Sequence, residues 1–388
     1  MDTKKFRTRT EQIVRSNVSV PDTWEIAIDV GYSAVKIFSN NIVAAFPSYA
    51  KRIDEDFEFV TFTPPEAILY RNLDTNEQWL VGAVAQERMD AEDTSDSESS
   101  LYGRKRYSDE MFKVFVETGL GVGMQDNQHG RRKESDKIVV QTGLPEKYMN
   151  DAPYLKDVFE GRHHFALKIG AGKWKIFDFT IVRDDVYVMS QPRGSFFSIC
   201  FANNGSMIKE ARAYQNSNII IFDPGFGTLD IFTIVAGAPK SSETFADLGM
   251  KRILQDTAKA IKENFDVEIS VPAMQKYLET GEVIYEDERN FISKKYSFEH
   301  LLENATKTVC EEAINKLRSS VSGFKDYDYL VVTGGTGSAW YDYIVDKFKG
   351  YSVLKVVKGN QNDSLSFIYS NVRGYYFVRY NALKKEVR

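Results

Sequence analysis

Cysteine and histidine are scarce in this 388-residue chain, at two and four residues. Cys200 and Cys310 stand alone in apolar or helical runs, which excludes a disulfide scaffold and reads as two reduced thiols. His163 and His164 are adjacent, whereas a zinc pair on one helix face needs i,i+4 spacing, so they read as strand or surface histidines. A Cys–His nucleophile is equally unsupported. No apolar run approaches the roughly 20 residues of a membrane helix. Residues 1–21 read as a polar arm bearing Lys4, Lys5, Arg7, Arg9 and Arg15, without the apolar centre of a signal peptide, so a cytoplasmic protein is expected. A net charge of −5 gives no general attraction to nucleic acid or to anionic membranes. The runs Arg104-Lys105-Arg106 and Arg131-Arg132-Lys133 lack interleaved aromatics and read as solvated faces.

What is present is an ordinary globular composition, 43% hydrophobic and 27% charged, long enough for two or three domains. A meander is expected from Trp24–Gly31, Ala34–Phe38 and Ile42–Phe46. Residues 48–135 look irregular, with an acidic solvated loop at Asp90–Ser100 and a helix over Met111–Leu120. Strands follow at Lys137–Gln141, Phe165–Ile169, Trp174–Thr180 and Val186–Ser190, then a helix or loop-to-helix connection over Gly194–Asn204. In the second half, Asn218–Asp223 is a buried strand by its continuous apolar run, partnered by Thr228–Val235. Apolar stripes predict helices over Phe245–Phe265 and Phe298–Arg318, the latter capped by Ser297. A strand at Tyr329–Thr333 leads into Gly334–Gly337 and a helix to Lys347. A strand near Val353–Val357, a helix-like Ser364–Gly374 and a basic tail close the chain.

One pattern occurs twice. Asp29-x-Gly31 and Asp223-x-Gly225 each follow an apolar strand and turn into another strand, 223 − 29 = 194 residues apart. Such a turn directs backbone N–H groups at a phosphate while its Asp holds the water shell of Mg²⁺. Two of them, one per half of the chain, would clamp a triphosphate. Lys36, on the strand after the first turn, is placed to reach back to the phosphates. A third cluster, Gly334-Gly335-Thr336-Gly337, is not a dinucleotide fingerprint, because Trp340 stands where that motif needs a small residue. It does suit close backbone approach to a nucleoside.

Asp29-Val-Gly-Tyr-Ser-Ala-Val-Lys36, Asp223-Pro-Gly-Phe-Gly-Thr-Leu-Asp230 and Gly334-Gly335-Thr336-Gly337, in that order, resemble the two phosphate motifs and the adenosine motif of the actin, sugar-kinase and heat-shock chaperone superfamily. Within it the chain is most similar to bacterial and archaeal actin-like proteins of the ParM type. Gly103-Arg-Lys-Arg-Tyr107-Ser108, Gln141-Thr-Gly-Leu-Pro145 and Asn371-Val-Arg-Gly374 also resemble segments of that group. The resemblance implies an α/β fold with two lobes, each an RNase H-like subdomain, around a central nucleotide cleft. It implies that Asp29 and Asp223 hold hydrated magnesium and Lys36 contacts the phosphates. Gly31, Tyr32, Ser33, Gly225, Phe226, Gly227 and Thr228 would line the phosphate loops, and Gly334, Gly335 and Thr336 the nucleoside. Gln191 matches the residue that orients the attacking water, with Asp29 and Asp223 beside it in catalysis. Pro224 and Phe226 depart from eukaryotic actin's second loop, and ATP is preferred over GTP only by family habit.

The lobes are expected at residues 22–215, with the irregular insertion at 48–135, and at 216–370, with 371–388 returning to the first lobe. The implied function is a polymerising ATPase whose head-to-tail filaments segregate plasmid DNA through a ParR-like adaptor on centromere DNA, without direct nucleic-acid or membrane binding. The alternatives are a small-molecule kinase of the same superfamily and a scaffold filament with other cargo.

Overall fold

The structure is a computed structural model that describes residues 3–88, 104–287 and 289–387. The acidic stretch Asp90–Ser100 and Gly103 lie outside the described residues. The chain divides into two compact units. One comprises Thr8–Ala211, Asn360–Leu365 and Tyr369–Arg388; the other comprises Met1–Arg7, Arg212–Gly359 and Ser366–Ile368.

The Thr8–Ala211 unit holds β1 (Glu11–Val14), β2 (Thr23–Val30), β3 (Ala34–Ser39), β4 (Ile42–Pro47), β5 (Ala50–Ile53), β6 (Ile68–Asn72), β7 (Gln78–Val81), β8 (Lys137–Leu144), β9 (Gly161–Ile169), β10 (Lys175–Ile181) and β11 (Val186–Ser190). Six of these form one sheet in the order β1-β4-β3-β2-β8-β11. β2 is central and almost wholly buried, pairing antiparallel with β3 and parallel with β8. Its apolar residues Trp24, Ile26, Ala27, Ile28 and Val30 therefore do not alternate with solvent-facing ones, and Glu25 and Asp29 are buried among them, since a strand covered on both faces has no solvent side. The helix Glu110–Gly123, capped by Asp109 accepting from the Met111 N–H at 2.8 Å, packs Phe112, Phe115 and Leu120 into this core.

The helices Gln191–Cys200 and Ser370–Glu386 belong to the same unit and touch at Gly194 and Gly374. A Cβ on Gly374 would run into the Gly194 carbonyl oxygen, so the two backbones meet with no side chain between them. Buried Arg373 donates to the Ser198 and Phe201 carbonyls at 2.5 and 2.8 Å, satisfying acceptors that the end of the first helix leaves open.

The Arg212–Gly359 unit has the sheet β14-β13-β12-β17-β18, made of β12 (Ile219–Pro224), β13 (Thr228–Val235), β14 (Ala238–Ala246), β17 (Tyr329–Val332) and β18 (Lys355–Lys358). A separate hairpin pairs β15 (Glu282–Asp287) with β16 (Ile292–Ser297). The helices Met250–Phe265, Glu299–Ser320 and Gly335–Phe348 supply Ile253, Leu254, Ile261, Leu302, Val309, Leu317 and Trp340 to its core.

Several expectations need correction. The N-terminal arm is not featureless: Thr3–Phe6 forms a 3-10 turn with Phe6 buried, and Glu11–Val14 adds to the sheet edge by pairing with β4. The insertion at 48–135 contributes β5, β6 and β7 to a five-stranded sheet, β10-β9-β6-β7-β5. The Phe245 helix begins five residues later, at Met250, because Phe245 and Ala246 end β14 and Asp247 turns the chain at φ 62°. Phe298, not Ser297, is the cap position of the Glu299–Ser320 helix, without a side-chain bond. The basic tail is the last part of the Ser370–Glu386 helix. Arg106 is not a solvated residue: it is buried. His163 is a strand residue, as expected, and lies in the core, bonded to Glu117 at 3.0 Å and to the Phe159 carbonyl at 2.9 Å. Both thiols are buried, and burial pushes Cys200 up to about 12. Among the described residues, no helix is long and apolar enough to cross a membrane.

Candidate functional site

In the Thr8–Ala211 unit the β2–β3 hairpin sets the first turn. The Gly31 N–H donates to the Ala34 carbonyl at 3.1 Å, and Ser48 ties the turn down from both sides. Its hydroxyl donates to the Gly31 carbonyl at 2.7 Å and its N–H to the Ser33 carbonyl at 3.0 Å. Asp29 and Lys36 are register partners on β2 and β3, and directly opposed residues share a sheet face. The Lys36 ammonium therefore lies 3.3 Å from one oxygen of the buried Asp29 carboxylate.

The other oxygen of Asp29 accepts from the Gln191 amide nitrogen at 3.0 Å. Gln191 opens the helix that follows β11, and Pro192 is tolerated there because the first helical turn has no intrahelical donor to lose. An ionised carboxylate offers only acceptors, so the Gln191 N–H₂ must face Asp29 and its carbonyl oxygen is left to accept elsewhere. Residues 162 apart in sequence are thereby joined.

In the Arg212–Gly359 unit the second turn closes with Gly225 N–H donating to the Thr228 carbonyl at 2.8 Å. The loop's own carbonyls are taken up by neighbours. Gly225 accepts from Met250 N–H at 3.2 Å and from the Thr336 hydroxyl at 2.6 Å, and Phe226 accepts from Lys251 N–H at 2.8 Å. β17 runs parallel beside β12, with Thr333 N–H donating to the Phe222 carbonyl at 3.0 Å. This sets Gly334 against Asp223: it has φ 77°, and a Cβ there would collide with an Asp223 carboxylate oxygen. Only glycine meets both demands. Asp223, Gly225–Thr228 and Gly334–Thr336 thus form one cluster in this unit, as Asp29, Gly31–Ser33, Lys36 and Gln191 do in the other.

Sequence reasoning passed over Asp230. It stands opposite Asp223 in the β12–β13 ladder, where Lys36 stands opposite Asp29. Its carboxylate accepts from Thr228 and Thr244 hydroxyls at 3.1 and 2.5 Å, while its enclosure pushes its pKa above the ordinary carboxylate value. The signal was available, because the spacing from Asp to the opposed residue is seven in both turns (36 − 29 and 230 − 223).

The family profile for the actin like proteins N terminal domain matches residues 27–194. The match spans 168 of the 388 residues. The rest of the chain completes an actin-like fold: a ParM described as the pCBH non-polymerisable quadruple mutant aligns over 94% of this chain and 99% of its own, with TM-score 0.67 and 19% identity. A ParM from a 15-stranded Clostridium botulinum filament aligns over 92% and 99%, at TM-score 0.66 and 19% identity. Ta0583, an archaeal actin homolog in complex with ADP, aligns over 94% and 100%, at TM-score 0.61 and 15% identity. No curated protein sequence matches. The two turns carry the same strand scaffold with opposite charge beside the aspartate.

Proposed function

We propose that this actin-like protein is a nucleotide-dependent polymerising ATPase whose filaments move DNA through a DNA-binding adaptor. The observation that carries this reading is the pair of aspartate turns, each with its own supporting residues. The Asp29–Lys36 turn offers a cation to phosphate oxygens, and the Asp223–Asp230 turn offers carboxylates to a hydrated divalent ion. The Gly334–Thr336 turn would receive the nucleoside by close backbone approach. Mg²⁺ held through water at the Asp223 turn would offset charge on the phosphates, and ATP or GTP would be the substrate.

Gln191 is a positioning group and not a strong base. With its N–H₂ engaged by Asp29, its carbonyl oxygen would accept a hydrogen bond from the attacking water and fix the direction of approach, as phosphoryl transfer requires. A kinase on the same scaffold would need a free carboxylate near the substrate hydroxyl. Both Asp29 oxygens are engaged by Lys36 and Gln191, which favours hydrolysis over that reading.

The filament part is supported by the ParM filament among the similar structures. A head-to-tail contact that does not close into a ring gives such a polymer. The net charge of −5 supports DNA handled through an adaptor of the ParR kind on centromere sequence, and not by direct contact. Light scattering and negative-stain microscopy at micromolar protein test the proposal. Polymer is expected with ATP or GTP and Mg²⁺, and its absence with both nucleotides and with slowly hydrolysed analogues would overturn the reading. Co-sedimentation with adaptor-bound DNA, against DNA alone, tests the cargo.

A further inference from the structure

Arg106 lies in the 3-10 turn Arg104–Ser108 and is 8% exposed. Its guanidinium carbon sits 5.2 Å from the Tyr32 ring centroid, 5.1 Å from Tyr107 and 5.2 Å from Phe112. Guanidinium does not give up its proton in proteins, so this is a permanent charge removed from water. Among the described residues it has no hydrogen bond and no ion pair. The three ring faces attract it but carry no counter-charge.

Its location gives the missing anion a chemistry. Tyr32 is the middle residue of the Gly31–Ser33 turn, and the one carboxylate at the root of that turn, Asp29, is already paired with Lys36. Asp29, Lys36 and Arg106 together leave one uncompensated positive charge at the turn. Three rings hold the guanidinium in place and leave its N–H donors unspent. A phosphate group matches that fork with two oxygens. The terminal phosphate of a nucleoside triphosphate carries the most charge and is the group that hydrolysis removes.

We infer that Arg106 is a phosphate-recognition residue that distinguishes nucleoside triphosphate from diphosphate at the Gly31–Ser33 turn. The inference rests on the proposed reading of that turn as a phosphate loop. Occupancy by the terminal phosphate would also pull Tyr32, through its ring contact with Arg106, into one fixed position, so the turn would report whether that phosphate is present.

Calorimetric titration of the full chain with ATP, ADP and inorganic phosphate, each with Mg²⁺, tests this in wild type, Arg106→Gln and Arg106→Lys. Arg106→Gln is expected to lose on the order of 10–100-fold in ATP affinity, and less than about threefold for ADP, the range for a charge-assisted bidentate contact. Arg106→Lys keeps the charge without the fork and is expected to lose about fivefold for ATP. Equal losses for ATP and ADP, or no loss for either, would overturn the assignment and leave Arg106 as a packing residue. If Arg106→Gln does not fold, an unchanged ATP-to-ADP affinity ratio in Arg106→Lys is decisive in the same way. Phosphate alone binding wild type as tightly as ATP does would assign the site to free phosphate and also overturn the inference. Should wild type bind no nucleotide, the phosphate-loop reading itself fails, a result distinct from any variant-specific loss.

Discussion

The two units repeat one sheet. β4-β3-β2-β8-β11 and β14-β13-β12-β17-β18 have the same order and directions: a three-strand antiparallel meander, then two parallel strands. Each meander delivers an aspartate to the end of its first strand and turns through a glycine. They differ in what stands across the ladder. In one, Lys36 opposes Asp29 and the carboxylate is neutralised within the protein. In the other, Asp230 opposes Asp223, and like charges across a ladder repel. One scaffold thus carries opposite charge across the ladder from its aspartate, a lysine at position 36 and an aspartate at position 230.

The largest effect expected from breaking this contrast is at Asp223. Asp223→Ala removes the carboxylate proposed to hold hydrated Mg²⁺, and Mg²⁺-dependent phosphate release should fall on the order of 10³-fold. Release within threefold of wild type would separate Asp223 from the chemistry. Next come the glycines beside each aspartate. A Cβ at Gly334 meets the Asp223 carboxylate and the Pro224 carbonyl at 2.7 Å, on a backbone at φ 77°, so nothing nearby can yield cheaply. At Gly31 a Cβ meets the Lys36 ammonium at 2.6 Å, the far end of a flexible side chain. Gly334→Ala should reduce nucleotide affinity about 100-fold and Gly31→Ala less than about tenfold, because one forces backbone strain and the other a rotamer. Titration with a fluorescent nucleotide reads both, and the reverse order would contradict the asymmetry.

Much of each turn was legible in the sequence because its signals are local. An apolar strand, an aspartate and a glycine lie within a few residues at both Asp29 and Asp223. What was not legible depends on distant partners. The burial of Arg106 needs rings from Tyr32 and Phe112. β5 and β14 are largely solvent-facing and carry polar residues such as Lys51, Arg52, Lys240 and Glu243, so no alternating apolar pattern marks them as strands. Gln191 was placed from family order, and only the fold brings it to Asp29. The N-terminal strand Glu11–Val14 is held by pairing with β4 and not by its own apolar content.

At the first turn two side chains, Lys36 and Gln191, hold the Asp29 carboxylate. Gln191→Ala frees one Asp29 oxygen and removes the acceptor for water, while Lys36 still holds the carboxylate in place. Hydrolysis is expected to slow on the order of 10–100-fold, with nucleotide affinity nearly unchanged and filaments longer-lived. Single-turnover phosphate release, measured beside polymer lifetime, separates these. Slower assembly at unchanged turnover would assign Gln191 to the polymer contact instead.

The smallest effect is thermodynamic and tests whether Asp230 is the unbalanced partner. Its pKa is raised by enclosure, against the opposing pull of the Thr244 and Thr228 hydroxyls. The native state therefore keeps a proton that the unfolded chain has already released, and stability falls as pH rises from the unfolded-state value of about 3.9 through the native one. Asp230→Asn removes that loss and keeps an acceptor for a threonine. The melting temperature should rise by about 2–4 °C at pH 7, with the gain vanishing as pH approaches 4. Lys36→Met should do the opposite at pH 7, since it strips the cation from a buried carboxylate. Thermal melts of both variants between pH 4 and pH 8 decide the matter. A destabilised Asp230→Asn at neutral pH would mean that its two threonine bonds outweigh the cost of enclosing the carboxylate.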